Sequence, residues 1–288
     1  MKHLYLTFVL MMLAGIFVFC EYEGGYQDSV ETAWLELPAT DDSSLEYYSH
    51  SFEMDGQKYR NYTFAWSNGD YLAKWVAYPI NKTYSEGKYG GSRDWTLNPQ
   101  VDEMFQPDFK KSFGFSRGYE RGHQIANADR KCCPEANAQT YFFTNSTLQH
   151  KDFNGEIWAT LEANVRKVPV TEADTCYVLT GCVVSPDAEC IPDPDGRLVP
   201  IPEAYFKAVL SYSPSSQYGV WQSAAFYLEH RPYSHDYISA EEVMTVDELE
   251  AKLGMNLFVN LPAKIGEKAA AAVEAQNPLL HKQLWRIR

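Results

Sequence analysis

The sequence predicts an α+β fold with a large sheet and flanking helices, and three observations lead there. The chain has 288 residues, 45% of them apolar, enough for one large domain or two small ones. Its 20 Tyr, 15 Phe and 7 Trp favour half-buried pleated surfaces, on which flat aromatic side chains pack well. Apolar, β-rich runs recur along the chain, whereas only a few segments carry helical spacing or capping signals.

The first element is not part of the fold. Met1-Lys2-His3 precedes an uncharged apolar run from Leu4 to Phe19, and the first acidic residue is Glu21, the layout of an export signal. Sixteen helical residues span about 24 Å, short of the roughly 30 Å hydrocarbon core. Residues 1–20 are therefore read as a cleaved signal peptide or a lipoprotein signal, with no transmembrane span. Cys20 closes the run and could carry a lipid anchor, although Phe17, Val18 and Phe19 make a poor lipoprotein box. Ordinary cleavage beside it is the equal alternative.

Residues 21–50 read as a loosely structured N-terminal segment, and 51–288 as a single domain, because no repeat, low-complexity tract or long linker follows. From Lys58 to Ile80 two aromatic, β-rich runs flank Ser67-Asn68-Gly69-Asp70, a hairpin signal. Residues 81–118 are rich in Gly, Ser, Asp and Pro and suggest an extended surface segment that can reach a cleft. Tyr119 to Ala126 and Thr140 to Thr147 are expected as strands, with a helix from about Asp152 to Arg166. Cys176 to Val184, Ala204 to Tyr212 and Tyr218 to Leu228 read as core strands. Thr245 with Glu248 forms a capping box before Val246 to Leu253, and Gly254 stands where a helix end takes a left-handed residue. A last helix is expected from Lys264 to Ala275.

Cys132, Cys133, Cys176, Cys182 and Cys190 remain after removal of the signal. Their spacings suit no zinc site, so structural disulfides with one thiol left over are expected in an oxidising compartment. A net charge of −13 weighs against a polyanionic partner at long range. Screening over about 8 Å lets a few arginines and a divalent cation at contact distance outweigh distant acidic groups.

The informative stretch is Tyr119-Glu120-Arg121-Gly122-His123-Gln124-Ile125-Ala126-Asn127-Ala128-Asp129-Arg130. Alone, its histidine reads most simply as one satisfied by backbone at a strand end. Downstream, Asn154, Trp158, Glu162 and Arg166 recur every fourth residue and form a slanting polar stripe beside Ile157, Leu161 and Val165. Glu162 and Arg166 could be an ordinary i,i+4 surface pair, and Trp158 is read as structural.

Taken together the segments resemble the DNA/RNA non-specific endonuclease family of the ββα-metal superfamily, which holds secreted sugar-non-specific nucleases and mitochondrial endonuclease G. The family's Asp-Arg-Gly-His is similar to Glu120-Arg121-Gly122-His123, and its Ser-Asn-x-x-x-Gln to Thr144-Asn145-Ser146-Thr147-Leu148-Gln149. Its Asn, Trp, Leu-Glu helix with a later arginine is similar to Asn154, Trp158, Leu161-Glu162 and Arg166. Arg93-Asp94-Trp95 looks like the family's Arg-x-Trp, and Val246 to Glu250 and Asn260-Leu261-Pro262 add to the likeness. Glu120 stands where the family has Asp, and Ala126 where many relatives have Pro.

The resemblance implies the ββα-metal nuclease fold, a central antiparallel sheet with flanking helices. It also implies Mg²⁺-dependent hydrolysis of phosphodiesters in DNA and RNA without sequence preference, Mn²⁺ being able to substitute. His123 would be the general base, Asn145 would hydrogen-bond the histidine backbone or ring, and Asn154 would be the metal ligand. Glu162 would hold metal-bound waters, and Arg93, Arg121 and Arg166 would clamp phosphate oxygens, Arg121 having a structural ion pair as its alternative. An inactive surface binding protein on the nuclease fold and a phosphodiesterase for small nucleotides are the rival readings. Three glycosylation sequons, at Asn61, Asn81 and Asn145, are taken as chance matches, since a glycan at Asn145 would block the cleft. A bacterial protein that is secreted, periplasmic or lipid-anchored at the cell surface is expected, its oligomeric state left open.

Overall fold

A computed structural model describes residues 34–90, 94–109 and 117–288. The segment expected to be an export signal, Cys20 and Arg93 lie outside them. Eleven strands are present among the described residues: β1 (Glu46–Met54), β2 (Gln57–Ser67), β3 (Leu72–Ile80), β4 (Tyr119–His123), β5 (Ser146–His150), β6 (Thr175–Val183), β7 (Cys190–Pro192), β8 (Leu198–Pro200), β9 (Ala204–Tyr212), β10 (Trp221–Glu229) and β11 (Val243–Met244). Seven of them form one sheet in the order β1-β2-β3-β6-β9-β10-β11, with every adjacent pair antiparallel. Two ribbons, β4-β5 and β7-β8, stand apart from it.

The expected hairpin is β2-β3, but Gly69 is not its left-handed residue. Tyr71 takes φ 56° instead, held by a bond from its N–H to the Ser67 carbonyl while the Ser67 hydroxyl donates to Asp70. The central strands bury both faces, so β9 is buried from Ala204 to Ser211, and its residues alternate between two cores as a period of two requires. Tyr205 and Val209 join the cluster that contains Phe153, Ile157, Trp158, Leu161 and Val165. Phe206, Ala208 and Leu210 join the one that contains Val246, Leu249, Leu261, Ala270 and Val273. The sheet is thus sandwiched between the helix that follows β5 and the C-terminal helices.

Several boundaries differ from expectation. β1 begins inside the segment 21–50 that was expected to be loose, and Leu35 and Leu37 of that segment dock on the far core, while Phe52 further along β1 is buried against β2. The segment 81–118 is less superficial than its composition suggests, with Asn98, Val101 and Phe109 buried. The strand expected over 140–147 begins only at Ser146, since residues 143–145 form a 3₁₀ turn. The last helix is broken at Gly266 (φ 87°) into Leu261–Ile265 and Glu267–Glu274. The helix Val246–Leu253 has the capping box of Thr245 and Glu248, and Gly254 takes φ 66°, as the sequence indicates.

The expected disulfides are not formed: all five described cysteines are free. Cys176 and Cys182 lie six residues apart on β6, about 20 Å along a strand, whereas bridged Cα atoms sit within about 7 Å. Asn61 and Asn145 are fully buried, so neither sequon can carry a glycan.

Candidate active site

β4 and β5 pair in a short ribbon with His123 opposite Ser146, Gly122 opposite Thr147 and Glu120 opposite Gln149. Chain reversal between them is fixed by Asn145. Its side-chain oxygen accepts the Ile125 N–H at 3.0 Å, and its amide donates to the carbonyls of Ile125 and Thr140. Its own carbonyl accepts from the Gln124 N–H. The hydrogen bond expected from Asn145 to His123 is therefore made one and two residues further on. The physical reason is the turn: a buried carboxamide satisfies the backbone groups that the ribbon leaves open just past the strand end.

Alternation along β4 places Arg121 and His123 on one side and Gly122 on the other. Gly122 is required by space, because a Cβ there would meet Gln149 Oε1 at 2.0 Å, and Gln149 is itself fully buried. The His123 ring is wedged between Trp95 and Tyr141, with centroids at 4.7 and 5.1 Å. Its Nε2 is buried and finds no hydrogen-bond partner among the described residues. Burial, with a smaller contribution from the Arg121 charge, pushes the imidazole down to about 4, so it is neutral at physiological pH. The Arg121 guanidinium lies 5.5 Å above the Trp95 ring and donates to the Phe109 carbonyl at 2.9 Å.

The helical run over 151–166 starts directly after β5. Lys151–Phe153 leads into a π-helical turn, Asn154–Trp158, and then the α-helix Ala159–Arg166. A π turn is wider and advances each side chain less around the axis, a feature frequent at functional sites. It reduces the drift between Asn154 and Trp158 that a regular helix would impose. Ile157, Trp158, Leu161 and Val165 are buried against the sheet, so Trp158 is structural as expected. The Asn154 amide nitrogen donates to Glu120 Oε2 at 3.1 Å, which directs the amide oxygen elsewhere and ties the helix start to the strand of His123. Glu120 and His123 are three residues apart, about 10 Å along a strand.

At the far end of this helix, Arg166 does not pair with Glu162. Its Nε donates to Asp129 Oδ1 at 2.6 Å, and the Tyr78 hydroxyl donates to the other Asp129 oxygen at 3.2 Å. Arg166 Nη1 and Nη2 make no hydrogen bond among the described residues. Burial raises Glu162 to about 7 against the opposing attraction of Lys207, with Asp129 adding to the rise and Arg166 reducing it. Asp129, Tyr78, Lys207 and the aromatic walls Trp95 and Tyr141 were not assigned roles from sequence. Asp129 and Trp95 lie inside the quoted motifs, whereas Tyr78, Tyr141 and Lys207 carry no local signal and are brought in by the sheet and the turn.

A separate ribbon running into a helix beside a large antiparallel sheet defines the class: a ββα-metal nuclease fold. A profile of the DNA/RNA non-specific endonuclease family matches residues 43–264, and the chain belongs to that family. It is 24% identical over 259 residues to a nuclease of Serratia marcescens, covering 88% of this chain and 90% of that one. A nuclease of a Nostoc species is 30% identical over 129 residues, where the match spans 43% of the relative's length. The mitochondrial nuclease EXOG of Xenopus laevis is 22% identical over 246 residues, covering 83% and 68%. Among solved structures, the EndoG/EndoGI complex includes a chain that superposes with TM-score 0.59 at 18% identity, over 74% of this chain and 87% of that chain. The chain is a nuclease enzyme. Among the described residues no helix is long and apolar enough to cross a membrane.

Proposed function

We propose that the chain is a divalent-metal-dependent endonuclease that hydrolyses DNA and RNA without sequence preference, His123 acting as general base on water. The observation that carries this reading is the neutral imidazole whose buried Nε2 has no protein partner, on the strand that also anchors Asn154 through Glu120. A lone pair held unprotonated at neutral pH and not consumed by the protein is what a base toward water requires.

The residues present suit a hard cation. Among the described residues no group of three or more His, Cys, Asp or Glu could hold a metal. The donor set is instead one amide oxygen, Asn154, with the Glu162 carboxylate further along the helix. Mg²⁺ binds hard oxygens and keeps several waters, so one protein ligand with Glu162 accepting from the bound waters is chemically sufficient, and Mn²⁺ fits the same donors. When bound, the cation would neutralise charge growing on the phosphoryl and leaving oxygens. Glu120 orients the Asn154 amide, Trp95 and Tyr141 fix the imidazole plane, and Asn145 holds the strand end that positions it. Arg166 offers its two Nη groups to a phosphate while Asp129 holds its Nε, and Arg121 and Arg93 complete the set of phosphate clamps. Contacts confined to the sugar-phosphate backbone read neither base nor 2′ hydroxyl.

Residues 51–288 would be the nuclease domain, and the apolar N-terminal run would export it to the exterior or periplasm of a bacterium, with Cys20 the position at which a lipid anchor would be attached. Incubation of plasmid DNA and ribosomal RNA with and without EDTA tests the activity. Degradation of both only without EDTA, lost in His123→Ala and Asn154→Ala with the fold retained by circular dichroism, is expected. Full activity of either folded variant overturns the assignment, and intact polymers with the wild-type protein would mark it as a binding protein on this fold.

A further inference from the structure

The β4-β5 ribbon passes into the helical run over 151–166 at His150, the last residue of β5, which stands opposite Tyr119 at the start of β4. The His150 side chain caps the helix by accepting the Asp152 N–H at 3.3 Å. Asn154 follows within a few residues and is tied back to β4 through Glu120. The place of the His150 backbone therefore sets where the helix starts, and with it where the Asn154 amide stands relative to His123.

That backbone is held from outside the ribbon. The ribbon takes the Lys151 N–H through the Gly118 carbonyl, and the His150 N–H is left to the ring of His230, which accepts it at Nε2 over 2.7 Å. His230 directly follows β10, a strand of the main sheet, so this bond joins the separate ribbon to the sheet. The other ring nitrogen, Nδ1, lies 2.7 Å from the Pro202 carbonyl. A carbonyl can only accept, so Nδ1 carries the proton and Nε2 keeps its lone pair for His150. Burial agrees with that state, bringing the imidazole down to about 4. Edge-on contacts with Phe153 and Tyr205, at 5.2 and 5.1 Å, fix the ring plane, and the His230 N–H donates to the Glu203 carbonyl at 2.8 Å. Both ring nitrogens of His230 are thus consumed by the protein, whereas Nε2 of His123 is not.

We propose that His230 is a positioning residue of the nuclease: by accepting the His150 N–H it locks the junction of ribbon and helix onto the main sheet and so fixes the Asn154 amide oxygen relative to His123. The role rests on Asn154 being the metal ligand. Groups that orient a metal ligand are typically worth about 10- to 100-fold in metal affinity, and a misplacement of about 1 Å can cost about a hundredfold in rate.

The test compares the full chain with two variants that separate the two bonds of the ring. His230→Asn has a short amide that can still donate to the Pro202 carbonyl but does not reach His150. His230→Gln carries an amide oxygen to the place of Nε2 and keeps the acceptor. Hydrogen exchange reads the His150 amide, calorimetry reads Mn²⁺ affinity without substrate, and DNA cleavage at saturating Mn²⁺ gives kcat and KM separately. In His230→Asn the His150 amide should exchange faster, Mn²⁺ should bind about tenfold or more weakly, and kcat should fall by up to about a hundredfold with KM hardly changed. His230→Gln should recover most of all three. Faster exchange with unchanged Mn²⁺ affinity and kcat would make His230 a structural tie alone and overturn the proposal. Equal losses in both variants would overturn it as well, because the acceptor at Nε2 would not matter. If His230→Asn does not fold, His230→Gln decides: retained affinity supports the role, and lost affinity with the His150 amide still protected overturns it. Wild-type protein that binds no Mn²⁺ would remove the reading of Asn154 and this role with it, an outcome distinct from a failure confined to the variants.

Discussion

Lowering the pH should destabilise the protein through His123 by an amount that the structure allows to be worked out. The imidazole is held at about 4 by burial and then by the Arg121 charge, against an ordinary value of 6.5. A group whose folded value is depressed supports the fold above its unfolded value, and that support is lost as pH falls toward the folded value. The window is therefore pH 6.5 down to about 4. At pH 5 the unfolded histidine is almost fully protonated and the folded one almost not, which linkage converts to about 2 kcal/mol of lost stability. The whole stability curve is not a clean readout, because Glu162 and Glu274 are raised to about 7 and pull the other way over the same range. Comparison with His123→Asn removes that problem, since the other groups are common to both proteins. Between pH 7.5 and pH 5, urea unfolding should show wild type losing about 2 kcal/mol more than the variant. Equal pH dependence of the two proteins, or an NMR titration of His123 centred near 6.5, would refute both the burial argument and the picture of a preformed neutral base.

Further outcomes follow from the same geometry. Gly122→Ala should push Gln149 aside, because a Cβ would sit 2.0 Å from its Oε1. Overpacking of this kind costs about 1 to 3 kcal/mol, read as a lowered melting temperature, and a variant as stable as wild type would show that Gln149 can swing away. Asn145→Ala removes one acceptor and two donors from buried backbone groups, each worth roughly 1 to 3 kcal/mol when left unsatisfied. Loss of cleavage without loss of stability in Asn145→Ala would contradict its role as the clamp of the turn. Glu120→Ala frees the Asn154 amide, so metal affinity measured by calorimetry should fall while the urea midpoint hardly moves; unchanged affinity would remove Glu120 from the site. Under native conditions, thiol alkylation followed by mass spectrometry should label the half-exposed Cys132 and Cys190 and spare the buried Cys133, Cys176 and Cys182.

Sequence alone determined what depends on short-range spacing. The β2-β3 hairpin, the box of Thr245 and Glu248 with Gly254, and the ribbon-helix order that carries His123 and Asn154 are set by turn chemistry, capping and periodicity within a few residues. The glycine of the motif was likewise readable as a glycine, but not its reason. Only the folded chain shows Gln149 filling the place of the missing side chain. Pairings between distant segments were decided by tertiary structure. Arg166 chose Asp129 rather than the nearer Glu162, and Asn145 clamped Ile125 rather than His123. The physical reason is shared by both: a charge or amide removed from water takes whichever partner the packed sheet and helix bring within reach, and that partner need not be close in sequence.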